Sequence, residues 1–328
     1  MKKNIKFTND CLIGYSGTIG KHLCSKAKFK HKYNSKNIEK IINKKFKMII
    51  CCAAPGAMTI ANRKPNEDLK NIKKLIKYLK MVKTEKFILI STIQVFSILD
   101  KKNNDEDSND LNNKLAYGKN RRILEKFCQK QFKNHLVIRL PSLFGKHIKK
   151  NFIFDIINPM PTFLNIKKIQ LISKILPTEI RNFFTTIYRK RDDNYYIDRN
   201  LFNKSTQKNT LIKYFEKYNF VSSSLTNPNS KYQYYNLENL IKDINVVYKL
   251  GVKYLNISTE PIYAKNIYQF LTKKKMKSNN AKIYSANMVS RYAKLWGDEK
   301  KIYLYKKKII LNDLKKFYKI KKNESINF

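Results

Sequence analysis

The first half of the chain alternates short apolar runs with longer amphipathic stretches. The apolar runs predict strands at Cys11–Ile13, Phe29–Tyr33, Met48–Ala53, Phe87–Ser91 and Leu136–Leu140. The amphipathic stretches predict helices at Thr18–Lys28, Ser35–Lys44, Asn66–Val82 and Ala116–Lys130, with Ser35 as the cap of the second. Strands that alternate with helices are typical of βαβ units. The pattern therefore predicts an α/β protein with a doubly wound parallel sheet.

The alternation weakens after Gly145, where prolines at 159, 161 and 177 break the chain into short elements. We therefore predict a first domain at 1–150 and a mixed second lobe at 151–328. Within the second lobe, the part from about 237 to 273 is expected to return to the sheet. Its pattern predicts a helix, a strand and a helix at Leu237–Leu250, Tyr254–Ile257 and Ala264–Lys273. The acidic stretch Asp100–Asn113 has no periodicity and is interpreted as a surface loop.

The formal net charge of +45 would by itself indicate a nucleic-acid partner. However, only nine of the 69 basic residues are arginine, and the lysines run from Lys2 to Lys322. A nucleic-acid groove would favour arginine, whose planar fork makes bidentate contacts. The composition thus favours a solvated lysine surface with no specific nucleic acid, and a nucleic-acid-binding protein remains an alternative that rests on charge alone.

The cysteines and histidines indicate neither a disulfide framework nor a metal site. The five cysteines are odd in number and lie in mostly apolar surroundings, which predicts buried thiols in a reducing compartment. Four scattered histidines, His22, His31, His135 and His147, predict no metal ligation. The N-terminus lacks a continuous apolar run and no stretch approaches about eighteen apolar residues. We therefore expect a cytoplasmic protein without a signal peptide or a membrane span.

The strongest motif is a glycine-rich turn that joins the first predicted strand to the first predicted helix. Three of the eight glycines, Gly14, Gly17 and Gly20, lie three residues apart. Glycines let the chain turn sharply, approach a pyrophosphate closely and pack the helix on the strand, while the helix N–H groups face the phosphates. The turn predicts a Rossmann-type dinucleotide site that includes Ser16, Thr18 and Ile19 as well as the glycines.

Further motifs follow in a characteristic order. They are Cys52-Ala53-Ala54, Asp68-Leu69-Lys70-Asn71, Ser91-Thr92-Ile93-Gln94-Val95-Phe96, Tyr117-Gly118-Lys119-Asn120-Arg121 and the loop from Arg139 to Gly145. With them, the segment from about Cys11 to Asp155 resembles the extended short-chain dehydrogenase/reductase family, also called the NAD-dependent epimerase/dehydratase family. The resemblance implies a cytoplasmic NAD(P)-dependent enzyme that acts on a nucleotide-linked sugar, with the second lobe supplying most substrate contacts.

The resemblance also implies a role for particular residues. Thr92, Tyr117 and Arg121 stand at the catalytic positions. Cofactor contacts are implied for Ala53, Ala54, Leu140, Pro141 and Ser142, and Asn71 stands where the family has an asparagine that supports the site. Lys149 and Asn151 follow the nicotinamide loop and could meet a diphosphate, although a solvated charge run is an alternative for them. The expected partner is a nucleotide sugar, and a homodimer is compatible with the family.

Tyr117 and Arg121 carry the expected chemistry. Four residues apart, they share one helix face, so the cation can favour the phenolate and make Tyr117 an acid/base near neutral pH. Thr92 can hydrogen-bond the reacting oxygen while a nicotinamide exchanges hydride. The family pattern has lysine where this chain has Arg121, which can hold a ribose but cannot shuttle a proton. A non-catalytic NAD(P)-binding regulator or scaffold is therefore an alternative.

Two further differences from the family pattern indicate which reaction and which cofactor to expect. The family's dehydratases have an Asp-Glu pair after the catalytic threonine, but this chain has Ile93 and Gln94, which disfavours dehydration and favours a reductase or an epimerase. The short segment from Gly20 to Met48 resembles that of dTDP-dehydrorhamnose reductases. After the second strand, Asn34, Ser35 and Lys36 offer no carboxylate for the ribose hydroxyls of NAD. The expected cofactor is NADP or NAD, with NADP favoured and with Asn34 and Ser35 among its contacts.

Overall fold

A computed structural model describes residues 10–101, 104–111, 114–248, 250–297 and 302–326. The strands are β1 Cys11–Ile13, β2 His31–Tyr33, β3 Lys45–Cys51, β4 Lys83–Thr92, β5 His135–Leu140, β6 Ser142–Phe144, β7 Phe163–Asn165, β8 Tyr188–Arg191, β9 Asn194–Ile197, β10 Lys231–Tyr232, β11 Tyr234–Asn236, β12 Tyr254–Asn256 and β13 Ile262–Tyr263. The α-helices are α1 Thr18–Lys26, α2 Met58–Arg63, α3 Pro65–Leu79, α4 Ala116–Gln131, α5 Phe152–Ile157, α6 Ile166–Ile175, α7 Thr178–Ile187, α8 Arg199–Lys204, α9 Lys208–Lys217, α10 Leu240–Val247, α11 Ala264–Thr272 and α12 Lys307–Ile326. Short 3-10 helices lie at Ile38–Ile41, Ile93–Val95, Ser222–Leu225, Leu237–Asn239 and Ala293–Trp296.

Six strands form one parallel sheet in the order β12-β5-β4-β3-β1-β2. Strand β1 pairs with β2 on one side and with β3 on the other, so the strand order reverses at β1. Such a reversal opens a crevice beyond the carboxyl ends of the strands, where α/β proteins bind their ligands. The predicted Rossmann-type, doubly wound α/β fold is confirmed.

The sheet is buried by helices, as parallel sheets require. Every residue of β5 is buried, and Phe87–Ser91 of β4 are buried as well. One face of the sheet packs against the apolar stripes of α3 and α4, from which Ile72, Leu75, Leu79, Leu124 and Cys128 enter the core. This burial holds α3 and α4 in fixed positions beside the carboxyl ends of the strands.

The predicted strands are confirmed, with ends that shift by up to four residues. The predicted helix Ser35–Lys44 is wrong, because only a 3-10 turn at Ile38–Ile41 forms there. The Asn37 side chain accepts a hydrogen bond from the Asn34 N–H at 2.7 Å, and the Asn34 side chain accepts one from the Lys36 N–H at 2.9 Å. These local bonds compete with helix hydrogen bonds, so Ser35 does not act as a helix cap.

The acidic stretch Asp100–Asn113 is a loop in its described part, but it is not only a surface loop. Glu106 is buried and accepts hydrogen bonds from the Asn256 N–H at 2.7 Å and from the Ser290 hydroxyl at 2.6 Å. Sequence periodicity could not show this role because the partners lie about 150 residues or more away along the chain. Residues 102–103 and 112–113 of this stretch, residue 249 of the predicted helix Leu237–Leu250 and residues 1–9 lie outside the described part.

The chain clusters into two compact units. The first combines the described parts of 1–148, 232–261 and 285–310 and contains the six-stranded sheet. The second combines those of 149–231, 262–284 and 311–328. Its antiparallel sheet has the order β7-β9-β8, and its core is formed by residues that include Ile172, Phe184, Leu211 and Phe215.

A buried charge network ties α4 to β4 and β5. The Glu125 side chain is 0% exposed and accepts hydrogen bonds from the Ser91 hydroxyl at 2.6 Å and from the Arg139 guanidinium at 3.0 and 3.2 Å. Arg122 donates to the same carboxylate at 2.8 Å. Because buried charges are tolerated only when they are paired, this carboxylate sets the position of α4 against the two strands.

Replacement of Glu125 by Ala should leave the Arg139 charge buried without its carboxylate. We expect a loss of about 3–5 kcal/mol in the free energy of unfolding, measured as a lower urea midpoint. Lys126→Ala, at the next and exposed position of α4, should change it by less than about 0.5 kcal/mol. Equal effects of the two substitutions would show that the network does not hold the helix.

Candidate active site

The turn between β1 and α1 is shaped by two glycines that leave no room for a side chain. Gly14 has φ +92°, and a Cβ atom there would lie 2.7 Å from the backbone of Cys52. A Cβ atom at Gly20 would lie 2.1 Å from the Gly14 carbonyl oxygen. The backbone of the turn therefore folds onto itself and onto the chain that follows β3, which only glycine permits.

Gly17 differs because it faces the open side of the same turn. It is exposed, and a Cβ atom there would meet only the Gly14 carbonyl oxygen at 3.4 Å. Gly17 is the N-cap residue of α1 and provides no side-chain cap, and Ser16 and Thr18 beside it are exposed while Ile19 is half-buried. The positive end of the helix dipole thus lies behind an open backbone surface, an arrangement that suits a phosphate group.

The end of β2 lies against this turn. The Asn34 side chain donates a hydrogen bond to the Ser16 hydroxyl at 3.4 Å, and Ser35 and Lys36 are exposed. The chain after β2 therefore carries an amide, a hydroxyl and an ammonium group at the strand end where a carboxylate would select NAD, and the Asn34 amide contacts the glycine turn.

The other predicted cofactor residues follow the carboxyl ends of neighbouring strands. Ala53 and Ala54 follow β3 and are half-buried, Thr92 ends β4, and Leu140 ends β5 in register with Thr92. Pro141 and Ser142 come next, and the Ser142 N–H donates to the Gln233 carbonyl at 3.1 Å. Because the strands are parallel, these residues share the sheet edge that carries the glycine turn.

Tyr117 lies in the first turn of α4, and its hydroxyl forms a hydrogen bond with the Thr92 side chain. The Thr92 hydroxyl also accepts from the Gln94 N–H at 3.2 Å, which fixes its orientation at the strand end. The backbone N–H of Tyr117 donates to the Asn62 side chain on α2 at 2.9 Å. Asn62 thereby replaces the missing side-chain cap of α4, so the tyrosine is held from three elements.

Arg121 lies against Tyr117 in an unusual way. Its guanidinium carbon lies 4.0 Å from the centroid of the Tyr117 ring, which is a cation–π contact with the face of the ring. It forms a buried ion pair with Asp68 of α3, and the two side chains are 3% and 4% exposed. It also donates to the Pro55 carbonyl and, at 3.3 Å, to the Tyr117 carbonyl.

The ionisation of Tyr117 differs from the expectation that the cation brings it near neutral pH. Burial raises the pKa of Tyr117 and is the largest effect. The Arg121 charge and hydrogen bonds with Thr92 and Arg121 lower that pKa, whereas the Asp68 carboxylate raises it, and the net direction is upward. The half-buried Tyr117 side chain therefore keeps its phenolic proton to higher pH than a free tyrosine does.

On α3, the structure buries Asp68 rather than the predicted Asn71. Asn71 is exposed, whereas Asp68, one turn earlier, is buried and accepts from Arg121 and, at 2.8 Å, from the Asn120 side chain. The pattern could have indicated Asp68, because it shares a helix face with the buried Ile72 and Leu75. Asn62 and Pro55 carried no sequence signal, since their contacts are made across 55 and 66 residues.

Other predicted positions have plain structural surroundings. Ile93 is 2% exposed and packs in the core. In the second unit, Lys149 is exposed, and the Asn151 side chain caps α5 by accepting from the Phe154 N–H at 3.1 Å.

Within the described residues, no helix combines the length and apolar character needed to span a membrane, and no three His, Cys, Asp or Glu side chains form a group that could hold a metal ion.

Residues 11–173, about half of the chain, match the sequence model of the NAD dependent epimerase/dehydratase family. The chain belongs to this family. The matched segment contains the glycine turn, Thr92, Tyr117 and Arg121. No curated protein sequence matches the chain significantly.

Solved structures of similar fold come from several enzymes of low sequence identity. A dTDP-4-dehydrorhamnose reductase from Bacillus anthracis str. Ames in complex with NADP has 14% identity and a TM-score of 0.57, with 97% of this chain and 100% of that chain covered. The UDP-glucose 4-epimerase of Thermotoga maritima with UDP-glucose has 13% identity, a TM-score of 0.55 and coverages of 95% and 98%. A UDP-N-acetylglucosamine 4-epimerase from Methanobrevibacter ruminantium M1 has 12% identity, a TM-score of 0.57 and coverages of 96% and 98%. These likenesses establish the fold along almost the whole chain.

The geometry of the glycine turn predicts that alanine at Gly20 and alanine at Gly17 lower the free energy of unfolding by different amounts. Gly20→Ala forces a Cβ atom into the Gly14 carbonyl and should lower the free energy of unfolding by about 1–3 kcal/mol or more. Gly17→Ala should cost less than about 1 kcal/mol, because a Cβ atom fits there. Chemical unfolding of both variants checks this order, and a larger loss for Gly17→Ala would contradict the geometry of the turn.

Proposed function

We propose that this protein is an NAD(P)-dependent reductase of a nucleotide-linked sugar. The observation that carries the proposal is the Tyr117–Thr92 pair, a protonated phenol and a hydroxyl held together at the sheet edge that also carries the glycine turn. Membership of the NAD-dependent epimerase/dehydratase family supports the cofactor class. Nucleotide-sugar enzymes among the structures of similar fold support the substrate class.

The residues present fit a dinucleotide. The cradle formed by Gly14 and Gly20 has no space for side chains, while Gly17 and the uncapped N-terminus of α1 leave an open backbone surface for phosphates. Arg121 Nε is buried and has no hydrogen-bond partner among the described residues, so one donor remains for a ligand oxygen. A nicotinamide held there would supply the hydride for reduction of a carbonyl.

The chain's own residues would handle the oxygen and its proton. Thr92 orients and hydrogen-bonds the substrate oxygen, and Tyr117 donates its phenolic proton to that oxygen as it becomes a hydroxyl. A reductase needs this group protonated, which the upward shift of the Tyr117 pKa favours. An epimerase must first take a proton from a hydroxyl, which a phenol with a raised pKa does poorly. Ile93, buried in the core, offers no acid or base for elimination of water.

The preferred cofactor is NADP. Asn34, Ser35 and Lys36 place an amide, a hydroxyl and a cation at the end of β2, where they can accept a 2′-phosphate without repulsion. The Bacillus anthracis reductase of similar fold was solved with NADP. Lys149 and Asn151 of the second unit are proposed to contact the substrate diphosphate, although Asn151 also caps α5.

A non-catalytic dinucleotide-binding protein is the second candidate. It is favoured by the pairing of Arg121 with Asp68, which occupies most donors of the cation that would otherwise contact the ribose. Both candidates bind the cofactor, and they differ in turnover of nucleotide sugars.

Gly17→Ala tests the proposed phosphate site. The methyl group would stand where the backbone approaches the pyrophosphate, so we expect the Kd for NADPH to rise about tenfold or more while the fold is retained. Gly56→Ala is the matched control, because a Cβ atom there meets nothing within 4 Å, and its Kd should equal that of the wild type. Tight binding by the Gly17 variant would place the cofactor elsewhere.

Tyr117→Phe tests the reaction. With NADPH and a panel of UDP-, GDP- and dTDP-linked keto sugars, we expect kcat to fall about 10²–10⁴-fold, because the proton donor is lost. In the wild type, kcat should stay level as pH rises toward 10 and fall only above it, since the donor must be protonated and its pKa is raised. Consumption of NADPH at the wild-type rate by the variant would exclude this mechanism. Cofactor binding without turnover on the panel would favour the second candidate.

A further inference from the structure

The pair formed by Asp68 and Arg121 departs from the family pattern that the sequence resembles, in which an asparagine supports the site and a lysine follows the tyrosine by four residues. Here Arg121 stands in place of the lysine, and the buried residue of α3 beside it is Asp68 rather than Asn71. A buried ion pair is costly to form and does not by itself add stability. Its presence beside Tyr117 therefore calls for a role in the site.

The contacts show how the guanidinium is held. Asp68 and the Pro55 carbonyl accept from its two terminal nitrogens, and the Asn120 side chain donates to the same Asp68 oxygen at 2.8 Å. These contacts come from α3, from the chain after β3 and from α4. They turn the plane of the cation toward the face of the Tyr117 ring, 4.0 Å from its centroid.

The position of a cation relative to a phenol determines how far the cation lowers the pKa of that phenol. Arg121 lies on the ring face, and its charge and a hydrogen bond lower the pKa of Tyr117, whereas the charge of the Asp68 carboxylate paired with it raises that pKa. Among the charged groups, Arg121 of α4 and Asp68 of α3 act on Tyr117, and its other contacts, Thr92 and Asn62, are neutral. Removal of the Asp68 charge would leave the Arg121 charge uncompensated beside the ring.

We propose that Asp68 is the positioning residue of this active site, which holds Arg121 against the face of the Tyr117 ring and compensates its charge there. This inference rests on the proposed function for its catalytic meaning, but the ionisation of the phenol does not depend on turnover. Asp68 touches neither the phenol oxygen nor a reacting atom, and it acts through Arg121.

Asp68→Asn is the main test, because it removes the charge and keeps the shape. Ultraviolet titrations of Asp68→Asn and of Asp68→Asn/Tyr117→Phe are subtracted to give the ionisation of Tyr117 in the variant. The same subtraction of Tyr117→Phe from the wild type gives the reference midpoint. We expect Tyr117 to ionise about one pH unit or more below its wild-type midpoint. The fall of kcat at high pH should move by the same amount, with KM changed less than about threefold.

Glu67→Gln is the matched control, since Glu67 precedes Asp68 on α3 and is exposed. It removes the same charge and should leave both the titration and the pH profile at their wild-type positions. An unchanged Tyr117 midpoint in folded Asp68→Asn, or an equal shift in the control, would overturn the proposal.

The double variant Asp68→Asn/Arg121→Gln covers the case in which Asp68→Asn does not fold. Both charges are gone, so the Tyr117 midpoint should return to within about half a pH unit of the wild type, while kcat falls because the ring has lost its contact. Wild-type kcat in the double variant would overturn the positioning role. Absence of turnover in the wild type would refute the proposed reductase, and the titrations would still decide the effect of Asp68 on Tyr117.

Discussion

The parallel pairing of the six strands is the constraint on which the candidate site depends. Because the strands are parallel, their carboxyl ends meet at one edge of the sheet. The strand pairing alone therefore brings residues from distant parts of the sequence together at this edge. The reversal of strand order at β1 places the glycine turn at this edge. Ala53, Thr92 and Leu140 follow because each ends a neighbouring strand or comes directly after one.

Helix α4 adds the side chains that complete the candidate site at this edge of the sheet. It carries Tyr117 and Arg121 in its first turns and Glu125 one turn later, and each of the two charged residues is buried against a different partner. Glu125 binds the helix to β4 and β5 through Ser91 and Arg139. Asp68 binds it to α3 through Arg121. Two buried ion pairs along one helix thus fix its distance from the sheet and the orientation of the tyrosine ring.

The same burial that orients Tyr117 also determines its chemistry. Removal of the phenol from water penalises the phenolate, and the cation that would have stabilised it is paired with a carboxylate. The proposed role of Tyr117 as a proton donor rests on this environment.

The sequence by itself determined the α/β fold, the glycine turn and the order of Thr92, Tyr117 and Arg121, because these depend on local periodicity and on spacing along one strand or one helix. The helix predicted at Ser35–Lys44 failed because side chains of Asn34 and Asn37 bond the backbone locally. Only the tertiary structure decided that Asp68 rather than Asn71 is buried beside Arg121 and that Arg121 lies on the ring face. The raised pKa of Tyr117 has the same origin, since burial and charge pairing between segments 50 or more residues apart leave no periodic signal in the sequence.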